Sequence, residues 1–228
     1  MRLLVVFMVF AASLFPVSAW SDNHSDNLIR AEIAAYQLSS AFSAFVFFEG
    51  APRFSKELRH ARQQGDQMMQ IISERYPQIQ QQWQQASGFT AEKEETVFDG
   101  SDMRLEIGLS VYQNELYRQI NLAKQQSELI ASNYLQARLK LEKILAQYMY
   151  SAVSAGAYNS ENNIDEDAQI LSEMITRLPD HASLRNKLTR KWSFIKTKVL
   201  ATKEQVAPFL TLHTANDIRK LLAAMQQG

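Results

Sequence analysis

MRLEIGLSVYQNELYRQINLAKQQSELIASNYLQARLKLEKILAQYMYSAVSA, residues 103–155, contains no proline and one glycine, Gly108. Helical throughout at ~1.5 Å per residue, it would run roughly 80 Å. Its apolar residues form a seam: Leu105, Leu109, Tyr112, Leu116, Ile120, Ala123, Ser127, Ile130, Tyr134, Ala137, Leu141, Ile144, Tyr148. Steps of three and four alternate except between Leu116 and Ile120, where one extra four-residue step falls. Such a stutter unwinds a heptad pattern locally, and two weak seam positions, Ala123 and Ser127, follow it. Two readings stay open for that point: a place where the helix yields in function, or one where it simply bends or breaks.

Outward from this stretch every segment reads as helix. Leu28 to Phe48 is strongly apolar on more than one face, so it belongs between neighbours rather than at a surface; Asp26 or Asn27 can cap it, and Gly50-Ala51-Pro52 ends it. A helix from Phe54 to Tyr76 is interrupted by Pro77. A glutamine-rich helix bearing Ile79, Trp83 and Ala86 then runs to Gly88. The chain turns acidic from Ala91 to Glu106, and Asp99-Gly100-Ser101-Asp102 reads as a turn and cap. After a polar loop from Gly156 to Asp167, helices follow over Ala168–Leu178, Ala182–Ala201 and Leu212–Met225, punctuated by Pro179 and Pro208. Leu184, Leu188, Trp192, Ile195 and Val199 form an apolar stripe. No strand-like alternation occurs. The expected fold is all-α, an antiparallel bundle of long helices.

Two halves, 27–90 and 103–228, share an order of events. Aligning Gly50-Ala51 with Gly156-Ala157 sets Leu28 against Tyr134, Ile33 against Leu139, Leu38 against Ile144 and Phe42 against Tyr148. Each half continues with a helix, a proline (Pro77, Pro179) and a helix bearing tryptophan (Trp83, Trp192). The proline-to-tryptophan distances differ by one heptad, which returns the tryptophan to nearly the same helix face. Either the hairpins are duplicated, or they share only the general likeness of helical hairpins.

At the N-terminus Arg2, the apolar run Leu3–Phe15, Pro16 and the small residues Val17-Ser18-Ala19 have the pattern of a cleaved secretory signal over 1–19. The run falls short of the ~20 residues that span a bilayer, which weighs against an uncleaved anchor. The remainder, 20–228, is expected to be a single exported domain with no further long apolar run. There is no cysteine, hence no disulfide, no thiolate nucleophile and no lipid-anchored cysteine; with the short signal this points to a bacterial periplasm. Lys and Arg total 24 against 24 Asp and Glu. So balanced a charge gives no argument for nucleic acid.

Little here suggests catalysis. His24, His60, His181 and His213 are scattered, with no metal-ligand spacing. Asp165-Glu166-Asp167 lacks the alternation of a calcium loop and reads as helix-start acids. There is no Gly-x-Ser-x-Gly elbow and no glycine-rich phosphate loop. The expectation is a non-enzyme without metal or cofactor. Seven bases and no acid lie between Arg185 and Lys203 (Arg185, Lys187, Arg190, Lys191, Lys196, Lys198, Lys203). This run either contacts an anionic surface or acidic partner, or packs beside the acidic 91–106 stretch or stands in solvent. A second copy of the chain is a further candidate partner.

Ile120-Asn121-Leu122-Ala123, with Gln126 three positions on, resembles the box Ile-Asn-Leu-Ala-Gly-Arg-Gln-Arg that opens the PilJ-type domain. That domain is the periplasmic N-terminal module of type IV pilus chemotaxis transducers, with relatives in nitrate/nitrite sensor kinases. Leu171, Ile175, Leu178, Leu184, Leu188 and Trp192 fit the family's later helices, so the resemblance covers roughly 116–203. It implies a helical sensory module that recognises a small ligand. The arginines that hold the anion in the nitrate sensors are replaced here by Gln125 and Ser127, and the glycine by Lys124. Bidentate anion recognition does not carry over to glutamine and serine. The resemblance leaves Asn121, Lys124 and Gln125 as candidate ligand-binding residues. The expected function is recognition of a small ligand or an envelope partner; the alternative is a structural or assembly factor binding protein or lipid surfaces.

Overall fold

The computed structural model describes residues 24–95, 103–127, 131–154, 164–179, 182–200 and 207–227. The signal segment 1–19, the Asp99–Asp102 turn, most of the 156–167 loop, His181 and Lys203 lie outside the described residues. Among those described there are eight α-helices and no strand. They are α1 (His24–Phe47), α2 (Pro52–Ile72), α3 (Pro77–Glu94), α4 (Met103–Gln125), α5 (Asn133–Val153), α6 (Ile164–Arg177), α7 (Ala182–Val199) and α8 (Pro208–Gln227). The fold is an all-α bundle. Pro52 and Pro77 sit at the first turns of α2 and α3, where a missing N–H costs nothing. The turn after α1 places Glu49 and Gly50 at positive φ, with the Gly50 amide returning to the Phe45 carbonyl at 2.9 Å.

The stretch 103–155 is not one helix. α4 runs antiparallel to α1, because Lys124 meets Glu32 while Gln113 meets Ser39. α5 runs parallel to α1, because Leu135 clusters with Ile29 while Glu142 meets Gln37. The chain therefore reverses between Gln125 and Asn133. The physical reason lies in the weak seam positions: Ala123 and Ser127 offer too little apolar area to hold a continuous helix there. The Ser127 hydroxyl donates to the Ala123 carbonyl at 3.0 Å, and Ser132 accepts the Leu135 amide at 3.3 Å, capping a new helix. The stutter marks a hairpin.

α1 packs against α2 and α4, and α3 closes the ring by packing against both. α5 does the same with α6 and α8, and α7 closes that second ring. Two four-helix bundles result, joined chiefly along α1 and α5. From Asp26 to Phe47 only Arg30 is exposed, so α1 is enclosed as its all-round apolar sequence required.

The two bundles repeat one pattern of burial. On α1 and α5, positions 106 apart are buried together: Ile29 and Leu135, Ala31 and Ala137, Leu38 and Ile144, Phe42 and Tyr148. The same spacing relates Gly65, Met69 and Ile72 of α2 to Leu171 and Ile175 of α6 and to Leu178 just after it. On α3 and α7 the buried sets Ile79, Trp83, Ala86, Thr90 and Leu188, Trp192, Ile195, Val199 share one register. Leu116, Ile120 and Ala123 of α4 match Ile218, Leu222 and Met225 of α8. The repeat unit is a whole four-helix bundle. Its division falls at the α4–α5 reversal rather than between 90 and 103, where the shared order of prolines and tryptophans had suggested it. With equivalent residues side by side on parallel helices, the axis relating the two bundles runs along α1 and α5.

Candidate functional site

The family-like residues of α4 come to the α1–α5 junction. Asn121 and Lys124 line a groove of about 410 Å³ with Glu32 and Tyr36 of α1 and with Lys140 and Lys143 of α5; Gln125 is exposed and lies outside it. Lys124 is not a free point charge. Its Nζ donates to Glu32 Oε2 at 2.6 Å, with the Glu32 side chain only 10% exposed. The other two lysines share one acid: Lys140 Nζ lies 2.6 Å from Asp167 Oδ1 and Lys143 Nζ 2.8 Å from Oδ2. Burial of Asp167 would raise its carboxyl pKa, but the two ammonium groups outweigh that and hold it below its ordinary range. Tyr36 stacks on Tyr117 with ring centroids 4.6 Å apart. Burial, with the Glu32 and Asp167 charges nearby, pushes its phenol far up, so Tyr36 stays protonated.

The groove thus presents two amides (Asn121 and Gln136), a phenol and three ammonium groups tied to two carboxylates. It is suited to a polar ligand that inserts between ion pairs already formed, and an anion entering it competes with Glu32 for Lys124. Sequence reasoning missed Asp167. Asp165 and Glu166 are exposed in the first turn of α6 as helix-start acids should be, but Asp167 is buried against α5. The available signal was the pair Lys140 and Lys143, three apart on one face of α5.

The repeat builds the same groove on the other side of the junction. There Ile33, Met68, Leu135, Ala223 and Gln226 stand where Leu139, Met174, Ile29, Asn121 and Lys124 stand in the first, around a hollow of about 300 Å³. Two of its lining residues, Gln37 and Arg138, reach a carboxylate outside the lining, the fully enclosed Glu142. Arg138 donates to it from α5 and Arg219 from α8, the latter through Nε at 2.8 Å and through Nη2, while Gln37 approaches at 3.4 Å. Burial alone would raise the Glu142 pKa; the two guanidinium groups outweigh it and hold the carboxyl down. At the positions equivalent to Glu142 and Arg219 stand Tyr36 and Tyr117. The two halves solve one packing problem with an ion pair and with a ring stack.

The basic run lies on α7, whose neighbours are α5, α6 and α8. Several of its cations are engaged locally: Arg185 donates to the Leu178 carbonyl at 3.0 Å, Lys191 pairs with Asp217 at 2.7 Å, and Lys196 reaches Gln169 and Ser172. Lys187 and Arg190 remain outward beside Phe194, which is 46% exposed. Among the described residues no three acidic, histidine or cysteine side chains are grouped to hold a metal ion, and no helix is long and apolar enough to cross a membrane.

In class, then, the molecule is a tandem pair of four-helix bundles with matched grooves flanking their shared α1–α5 junction. Comparison with protein-family models, curated proteins and solved structures finds no match to this chain.

Proposed function

We propose that the chain is a non-catalytic, exported binding module of the bacterial periplasm that recognises a small polar ligand in the groove between α1, α4 and α5. One observation carries the reading. Asn121 and Lys124, from the stretch that resembles the sensory-domain box, share a groove with Lys140 and Lys143 from the second bundle, at the junction of the two repeats. A ligand held there touches both bundles and biases their packing, which is what a sensory module requires.

A thermal-shift screen of small anions and metabolites tests it. A ligand that raises the melting temperature, with the rise lost in Asn121→Ala and Lys124→Ala, supports the site. A rise that survives both substitutions rules the groove out.

The outward face of α7 favours a second reading, an envelope assembly factor. Lys187, Arg190 and Phe194 are exposed there, and Leu200 follows at 37% exposure, combining positive charge with apolar area. Absence of any ligand response, together with co-purification of an envelope protein lost in Phe194→Ser, favours that reading.

A further inference from the structure

A separate opening lies between α2 and α8, over the outer side of α1. It has a volume of about 500 Å³ and no part in the groove described above. α1 floors it with small side chains, Ser40, Ala41 and Ala44; Ala61 of α2 and Arg219 and Asn216 of α8 form its walls. Arg53 of α2 lies over the Phe209 ring of α8 at 4.7 Å, linking the two walls.

Three small residues of its lining are larger in the other repeat. The positions on α5 and α6 equivalent to Ala41, Ala44 and Ala61 carry Gln147, Tyr150 and Asp167. The first bundle has alanine at each place where its counterpart has a long or charged side chain.

At the base lies a guanidinium with donors to spare. Arg219 has five N–H groups. Nε and one from Nη2 go to Glu142, and one from Nη1 goes to Asn216 Oδ1. One N–H on each terminal nitrogen is left, on a side chain that is 20% exposed and lines the cleft. Above it, Lys56 has no ion-pair partner among the described residues. Arg53 is paired with Glu57 at 3.0 Å, the one carboxylate of the lining, and His60 stands at the rim. Cations outnumber carboxylates, and Ser40, Gln37 and Asn216 supply neutral polar contacts.

We propose that this cleft is a second binding site, for a small organic anion whose carboxylate or phosphate docks on the two remaining N–H groups of Arg219. The guanidinium is already fixed by Glu142, so binding orders no new side chain at the anchor, and a charge-assisted bidentate contact is available at once. The inference does not depend on the groove at Asn121 and Lys124.

The test uses the full purified chain, in calorimetry and thermal-shift titrations with sodium succinate and sodium phosphate against sodium chloride at matched ionic strength. One of the two anions is expected to bind and to raise Tm by about 2–5 °C near saturation. Succinate alone identifies a carboxylate ligand and phosphate alone a phosphate ester. Ala41→Gln, which installs the residue of the other repeat, removes the response; Lys56→Gln, on an exposed position that leaves the fold intact, weakens binding about three- to tenfold. Asn121→Ala leaves the response in place. The proposal is overturned if neither anion acts beyond chloride, if Lys56→Gln binds as the parent does, or if Asn121→Ala abolishes the effect.

Discussion

Trp83 and Trp192 hold equivalent places in the two bundles, and each anchors its helix the same way. The Trp83 indole N–H donates to Asp66 at 2.7 Å and that of Trp192 to Ser172 at 2.9 Å; Asp66 and Ser172 are themselves equivalent positions of α2 and α6. What differs is the surface beneath. Trp83 lies against Gly65, where α6 has Leu171.

Gly65 therefore cannot acquire a side chain. A Cβ there would stand 2.0 Å from Trp83 Cζ2 and 2.1 Å from Cη2, and the ring is almost fully buried. Gly65→Ala is expected to destabilise the protein by about 2–3 kcal/mol despite alanine's better helix propensity. Gly88, inside α3 with nothing within 4 Å of a built Cβ, is the control. Gly88→Ala is expected to stabilise by about 0.5–1 kcal/mol. Urea titrations of both variants check the pair; equal effects would remove the Gly65–Trp83 contact from the account.

Glu142 neutralises two arginines inside the protein. Glu142→Gln leaves two half-buried guanidinium groups without their charge partner and is expected to cost about 2–4 kcal/mol. Replacing Arg138, Glu142 and Arg219 together with Met, Leu and Met is expected to cost far less or to stabilise, because the equivalent Tyr36–Tyr117 pair shows that the framework accepts an uncharged filling there. The pH dependence has a definite sign. The folded pKa values of Glu142 and Asp167 lie below the ordinary 4.5 and 3.8. Their contribution is therefore present above those ordinary values and is lost as pH falls through the lower folded ones. Denaturant midpoints measured from pH 6 downward should fall more steeply for the parent than for the triple variant.

Glu106 acts in the opposite sense. Burial between α1 and α4 pushes its pKa up to about 8, with the Ser43 hydroxyl opposing. A raised folded pKa stabilises the fold fully below the ordinary 4.5, and that stability is lost as pH rises through about 8. The parent should lose up to about 1.4 kcal/mol per pH unit within this window. Glu106→Gln, neutral throughout, should flatten that slope and be the more stable protein at pH 9. Urea unfolding at pH 5.5, 7 and 9 decides it; parallel profiles for parent and variant would show Glu106 charged in the fold.

Much of this architecture was readable from residue types. The spacing of Leu188, Trp192, Ile195 and Val199 placed the buried face of α7, and the one-heptad difference between Pro77–Trp83 and Pro179–Trp192 located two equivalent tryptophans. The reversal after Gln125 was not readable as a reversal. It uses neither proline nor glycine, and Ser132, its cap, falls between two positions of a seam whose apolar period continues on both sides. The long stretch took the organising role in the sequence, whereas α1 holds it in the structure. The site was legible only in part. Asn121 and Lys124 carry a local motif, but Glu32 lies 92 residues from Lys124 and Arg219 lies 77 from Glu142, and no local pattern encodes partners at that range.

Lys124 and Glu32 give the last test, because their pairing sets what the α1–α4–α5 groove can accept. With side chains 20% and 10% exposed, the pair is better shielded than a surface ion pair. A double-mutant cycle on Lys124→Ala and Glu32→Ala should return a coupling of about 1 kcal/mol or somewhat more. Lys124→Ala alone leaves a largely buried carboxylate beside Tyr36, so it should destabilise more than Asn121→Ala, whose side chain is exposed. Glu32→Gln separates stability from recognition. It keeps the shape, removes the competing carboxylate and leaves the Lys124 ammonium available, so affinity for any anion in this groove should rise. If Glu32→Gln instead weakens binding, the carboxylate itself contacts the ligand, and that ligand carries a donor or a positive charge at Glu32.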